Sequence, residues 1–143
     1  MMHAMTVNWL SILLAAVAAW LFGGAYYSSL GKVWMTALGK TEEQCKAEFA
    51  GKSAAEKALP FVLVFAAEII MAWALYGILI HVGSFTVRAG LISAAALWFA
   101  FVLTTITSNN AFQGRTHRLT LIDSGGWLGA MLIIGAIVGA MGK

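Results

Sequence analysis

One acidic side chain stands apart by position. Residues 60–80 read PFVLVFAAEIIMAWALYGILI, apolar throughout except for the carboxyl of Glu68 near the middle. An α-helix rises ~1.5 Å per residue, which puts Glu68 ~12 Å in from Pro60. A carboxyl at that depth in a bilayer costs ~2.5–3.5 kcal/mol to insert, and intramembrane acids by default mark proton, ion or substrate sites. No Lys or Arg lies in the interior of any apolar stretch, so Glu68 has no intramembrane counter-ion. Desolvated and unpaired, a carboxyl is held at least cost as the neutral acid. In that form it donates one hydrogen bond and accepts others, and Asn, Thr and Tyr side chains suit it. Two readings follow. Glu68 binds a proton or cation in competition with a solute, or it is a neutral polar clip between helices. Hydrogen bonds inside membranes average only ~0.6 kcal/mol, a small return on the insertion cost, which favours the functional reading.

The remaining polar residues of the apolar stretches gather at one end. Tyr26, Tyr27, Ser28, Thr104, Thr105, Thr107, Ser108, Asn109, Asn110 and Asp123 all fall toward the ends that meet the long first loop, whereas the opposite half offers chiefly Ser11, Ser93, Tyr76 and His81. The expected site is a polar vestibule on that side, made of Tyr26, Tyr27, Thr105, Asn109, Asn110 and Asp123, with Glu68 at its floor. For Asp123, anchoring by a snorkelling Arg115 or Arg118 is the plainer account. Asn109 and Asn110 serve equally as helix-ending caps or as ligand donors. His3, His81 and His117 are spread over both sides, which argues against a metal site, and no cofactor is expected. There is no GxSxG, GxxxxGK[ST], HExxH or CxxC, and no Cys–His pair with an orienting acid, so the chain is not expected to be an enzyme.

These residues need helices to carry them, and composition says which kind. The chain has 143 residues, 61% hydrophobic and only 10% charged, with a mean hydropathy of +0.84. Soluble domains carry about 25% charged residues. The expected fold is therefore an all-α integral membrane protein, a single domain over residues 1–143. About 20 apolar residues cross a ~30 Å bilayer core as a helix, and four such spans emerge, near 7–27, 60–80, 88–108 and 119–141. Lys and Arg sit in loops and form no basic run with interleaved aromatics, so no nucleic-acid partner is expected. The single Cys45 excludes an internal disulfide.

Small residues recur every four positions in the first span (Ser11, Ala15, Ala19, Gly23) and in the fourth (Gly125 and Gly129, Gly135 and Gly139). Such stripes let backbones approach closely. Packing inside one four-helix bundle is the favoured use, and an outward stripe making a homodimer the sharper one. The long loop, 28–59, is read as a helical elbow. Trp34, Met35 and Leu38 share a face suited to the membrane interface. Thr41 with Gln44, and Ser53 with Glu56, have capping-box spacing. Phe112, Gly114 and Arg115 form a turn with an interfacial aromatic and a positive-φ glycine.

Several of these segments together carry a resemblance. Val7-Asn8-Trp9-Leu10, Tyr26-Tyr27-Ser28, Gly31-Lys32-Val33-Trp34-Met35 and Phe112-Gln113-Gly114-Arg115 resemble the bacterial membrane family catalogued as domain of unknown function 1761. The likeness extends over nearly the whole chain, including span order and the long first loop. That family often has Pro where Ser29 stands and an acid where Gln113 stands, which sets those two turns apart. The resemblance implies the fold and a multi-pass place in the bacterial inner membrane. It brings no activity with it, because none is established for the family.

The functional expectation is a small membrane protein, in contact with lipid and expected to form a homo-oligomer, with a dimer favoured because four helices alone leave little room for a lumen, that binds or transports a small solute or ion. The competing class is a non-catalytic structural or accessory subunit whose polar residues fix helix packing. Orientation follows from charge. Loop 28–59 holds five Lys and the third link two Arg, against only Arg88 and Lys143 on the opposite side. The positive-inside rule puts the elbow in the cytoplasm and both termini outside. A reporter fused after Lys143 is expected to read as external; a cytoplasmic signal would refute the orientation, and equal signals would mean dual insertion.

Overall fold

The computed structural model describes residues 6–143. Their order is α1 (Trp9–Ser29), α2 (Gly31–Ala37), α3 (Glu42–Ala50), α4 (Ala54–Val82), α5 (Val87–Leu97), a π-helical turn (Trp98–Leu103), α6 (Thr104–Phe112) and α7 (His117–Met141). The helices α5 and α6 continue through the π turn as one span, Val87–Phe112, so four helices are long and apolar enough to cross a membrane. They suggest a multi-pass membrane protein. Below, the end carrying α2 and α3 is the elbow end and the opposite one the far end.

The fourth span holds the bundle together. The helix α7 packs against α1, α4 and α5, and α4 also packs on α1 and α5. In lipid, helices gain nothing from hiding apolar surface, so association relies on close packing and hydrogen bonds. The glycines of α7 provide both kinds of close contact. A Cβ on Gly90 of α5 would fall inside the Gly135 carbonyl, and one on Gly139 would meet the Thr86 carbonyl. Those two glycines bring backbone against backbone. Gly129 instead makes a socket for the Phe22 ring, while Gly125 and Gly126 lie under Tyr26. On α1, Ser11, Ala15 and Ala19 are fully buried. The small-residue stripes are thus largely used inside the chain.

A single asparagine fastens the far end. Asn8 caps α1 by accepting from the Ser11 backbone N–H at 3.1 Å. Its own N–H donates to Tyr76 Oη on α4 at 3.1 Å, and its Nδ2 donates to the Met141 carbonyl of α7 at 2.7 Å. One residue therefore ties three spans.

The elbow is helical as expected, and both capping boxes form, at Thr41–Gln44 and Ser53–Glu56. Hydrogen bonds from Lys46 and Lys40 hold the exposed Glu42 and Glu48 carboxyls below their usual range. Three features differ from the sequence reading. The second span begins in the elbow: α4 runs unbroken through Pro60, because the proline leaves only the carbonyl of the exposed Glu56 without its helical donor. The helix α2 is docked, with Trp34 and Leu38 packed against Ala37, Leu119 and Ile122. The third span carries the π turn, which no break in its apolar pattern announces.

The Gly90–Gly135 contact yields a direct test. Gly135→Ala is expected to cost about 1–3 kcal/mol by overpacking, seen as a lower melting temperature in detergent. Gly24→Ala, where an added Cβ meets nothing within 4 Å, should leave it unchanged or slightly higher. Equal melting of the two variants would refute the contact.

Candidate functional site

Glu68 is the sole buried charged residue of the described core, 1% exposed, and its Oε2 has no hydrogen-bond partner among the described residues. It points into the bundle, as the cost of a lipid-facing carboxyl requires. The polar partner expected from another span is not there for Oε2. Register explains why. The Asn8–Tyr76 bond and the Trp20–Phe65 ring pair fix α1 antiparallel to α4, so Glu68 stands level with Ala15 and Ala16. Alanines offer no side-chain donor.

Glu68 also marks a change in the bundle. Farther along α4, Ala72, Leu75, Tyr76 and Leu79 continue its buried stripe. On the elbow side, no residue from Ala54 to Ala67 is buried. This half of α4 leans on α1, where Trp20 Nε1 donates to the Phe61 carbonyl at 3.1 Å. The helix α6 packs on α7, without a comparable interface with α4. Glu68 is thus the first buried residue of α4 counted from the elbow end.

The other expected site residues divide into separate groups. Tyr27 Oη donates to Asp123 Oδ1 at 2.8 Å, and Tyr26 Oη donates to the Ile122 carbonyl at 2.7 Å. Trp34 meets Tyr27 edge-on with ring centroids 6.0 Å apart. These groups form a closed joint between α1, α2 and α7. Tyr27 is eleven residues along α1 from Ala16, which puts the joint about 16 Å along the axis from Glu68. Asn110 Nδ2 donates to Thr120 Oγ1 at 3.0 Å and ties α6 to α7. Thr105 donates to the Phe101 carbonyl of its own helix, and both Thr105 and Asn109 are exposed. The structure thus brings Tyr26, Tyr27 and Asp123 together, and leaves Thr105, Asn109 and Glu68 apart from them.

At the turn after α6, Gly114 has φ 65° as expected, Arg115 Nε reaches Gln113 Oε1 at 3.5 Å, and Phe112 is 96% exposed. Asp123 takes its hydrogen bond from Tyr27 and not from Arg115 or Arg118. His3 lies outside the described residues, and no group of three His, Cys, Asp or Glu able to hold a metal occurs among the described ones. Two grooves at the far end, about 540 and 500 Å³, share Tyr76 and Ile80, and Glu68 lines neither.

With this geometry in place, comparison settles the family. A family model described as "Protein of unknown function (DUF1761)" matches residues 10–139. The chain belongs to the DUF1761 family. No curated protein and no solved structure matches it. The match extends across all four spans, so both Glu68 and the Tyr27–Asp123 joint lie inside the DUF1761 region. Sequence reasoning overlooked Asn8, whose position just ahead of an apolar span was the available signal for a helix cap.

The joint predicts an energetic coupling. Tyr27→Phe and Asp123→Asn should each destabilise, and the double variant should cost less than their sum by about 0.6–1.7 kcal/mol, the span of such couplings inside membranes. Additive losses in detergent melts would show that the two groups act independently.

Proposed function

We propose that this DUF1761 protein binds or transports a small solute or ion in the membrane, with Glu68 as the exchanging group, and that it is not an enzyme. The observation that carries the reading is the fully buried Glu68 carboxyl with an unpartnered Oε2, at the elbow-side end of the buried stripe of α4. A buried acceptor without a partner costs about 1–3 kcal/mol, more when charged. A structural clip would be expected to satisfy its carboxyl. A binding group is satisfied by its ligand.

The approach is from the elbow side, where no residue of α4 before Glu68 is buried. Movement of the elbow half of α4, which is braced chiefly by Trp20, changes access to Glu68 without disturbing the glycine contacts of α7. The Tyr27–Asp123 joint is assigned to scaffolding, since each of its polar groups already has a partner. The elbow, with most of the cationic residues, is proposed to face the cytoplasm.

Glu68→Gln keeps the size of the side chain and both kinds of hydrogen-bonding atom but cannot carry charge. The variant should fold with near-wild-type stability. Infrared difference spectra between wild type and Glu68→Gln should show the Glu68 carboxyl band exchanging in heavy water, because a working site is wetted in some state. Melting of the wild type should respond to at least one cation of a panel, and the response should vanish in Glu68→Gln. A carboxyl that never exchanges, together with no cation response, would make Glu68 a dry clip and the protein a scaffold.

A further inference from the structure

We infer that the far end of the bundle seats one anionic phospholipid, its phosphate held beside Tyr76 and Lys143 and one acyl chain laid along α4. This site is separate from Glu68 and holds whether or not that carboxyl exchanges.

The chain seat is the groove of about 540 Å³ between α4 and the stretch that leads into α1. Ligand sites commonly enclose about 300–1,000 Å³. Trp73, Ala74, Gly77 and Ile78 line this one from α4, and Val7 lines it from the other side. Gly77 leaves room in it, because an added Cβ there would meet nothing within 4 Å. From Val82 at the mouth to Trp73 the groove descends nine residues, about 14 Å along the helix. Trp73 and Val82 are exposed, so the slot is open sideways to the bilayer. Empty, its walls forfeit their dispersion contacts, and one acyl chain restores them.

The head seat is polar. A second groove, about 500 Å³, meets the first at Tyr76 and Ile80 and is lined further by Thr6, Phe85 and Lys143. Tyr76 is 5% exposed, with its ring packed on Phe85 at 5.2 Å between centroids. Its Oη accepts from the Asn8 N–H at 3.1 Å and donates to no acceptor among the described residues. A phenol hydroxyl is donor as well as acceptor, so the Tyr76 proton is left for a ligand. The oxygen is held at Asn8, the neighbour of Val7 in one groove and two residues from Thr6 in the other. It therefore stands where the two grooves join.

Charge decides the headgroup. Residues 1–8, 81–88 and 141–143, which make the far end, hold Arg88 and Lys143 and no Asp or Glu. Lys143 makes no salt bridge among the described residues. A phosphate diester brings one negative charge and oxygens that accept from a hydroxyl and an ammonium together. A zwitterionic lipid would add a cation of its own beside Arg88 and Lys143. The order of the two grooves also matches a lipid in its leaflet, polar at the surface and apolar beneath. The sideways opening leaves a second acyl chain in the surrounding bilayer, whereas a water-soluble anion has no use for the first groove.

The test uses the full chain in neutral detergent, with dioleoyl phosphatidylglycerol as probe and dioleoyl phosphatidylcholine, oleate and inorganic phosphate as comparisons. Phosphatidylglycerol should raise the melting temperature saturably, and native mass spectrometry should retain one copy. The comparisons should do neither at the same concentration. Gly77→Leu puts its side chain into open space and should fold, with unliganded melting unchanged or slightly higher. It blocks the chain seat, and Lys143→Gln weakens the head seat. Each should raise the lipid concentration for half-response at least about tenfold. A phosphatidylglycerol response unchanged in either variant would overturn the inference and move binding to the cations of the elbow. An equal response to phosphatidylcholine would overturn the choice of an anionic lipid, and a response to oleate or phosphate alone would overturn the choice of a phospholipid. No retained lipid and no shift in melting would remove the site.

Discussion

Everything in this bundle depends on how closely α7 can approach its neighbours. Lipid gives packed helices no hydrophobic reward, so contact has to come from shape and from hydrogen bonds. Gly90 against Gly135 and Gly139 against Thr86 bring backbones together on the far half, and Gly129 and Gly126 receive the Phe22 and Tyr26 rings toward the elbow. The same helix thus uses its glycines in two ways, as flat surface and as sockets. With α7 held on three sides, α4 is left to supply the one buried charged group among the described residues.

That arrangement explains why polar residues of similar type have different roles. Tyr27 and Asp123 satisfy each other, and α2 covers them with Trp34. Their chemistry is spent on holding α1, α2 and α7. Glu68 sits where the buried stripe of α4 begins and has alanines across from it on α1. A shared list of polar residues therefore does not make a shared site. What matters is which groups have partners, and that is a property of register.

The sequence was legible where local physics acts alone. Runs of apolar residues gave four spans, and Thr41, Gln44, Ser53 and Glu56 announced two helix starts through spacing alone. Gly114 was readable because a turn demanded positive φ. Glu68 was readable because a carboxyl at that depth carries its cost wherever the neighbours are. The grouping of Tyr26, Tyr27, Thr105, Asn109, Asn110 and Asp123 into one vestibule was not readable. Depth along a helix follows from counting residues, but the face a side chain presents depends on how four helices rotate against each other. Thr105 and Asn109 share the depth of Tyr27 and face away. The π turn at Trp98–Leu103 adds to this, since it changes the facing of everything after it in the span.

Asn8 gives the bundle a fulcrum. By joining Ser11, Tyr76 and Met141 it acts as the rivet of a folding fan, with α1, α4 and α7 as its blades. Displacement in such a device grows with distance from the rivet. Glu68 is eight residues from Tyr76, about 12 Å, whereas Ala54 is twenty-two residues away, about 33 Å. A sideways swing at the elbow end of α4 is therefore delivered to Glu68 at roughly a third of its size. The elbow, far from the carboxyl in space, has the longer arm of the lever.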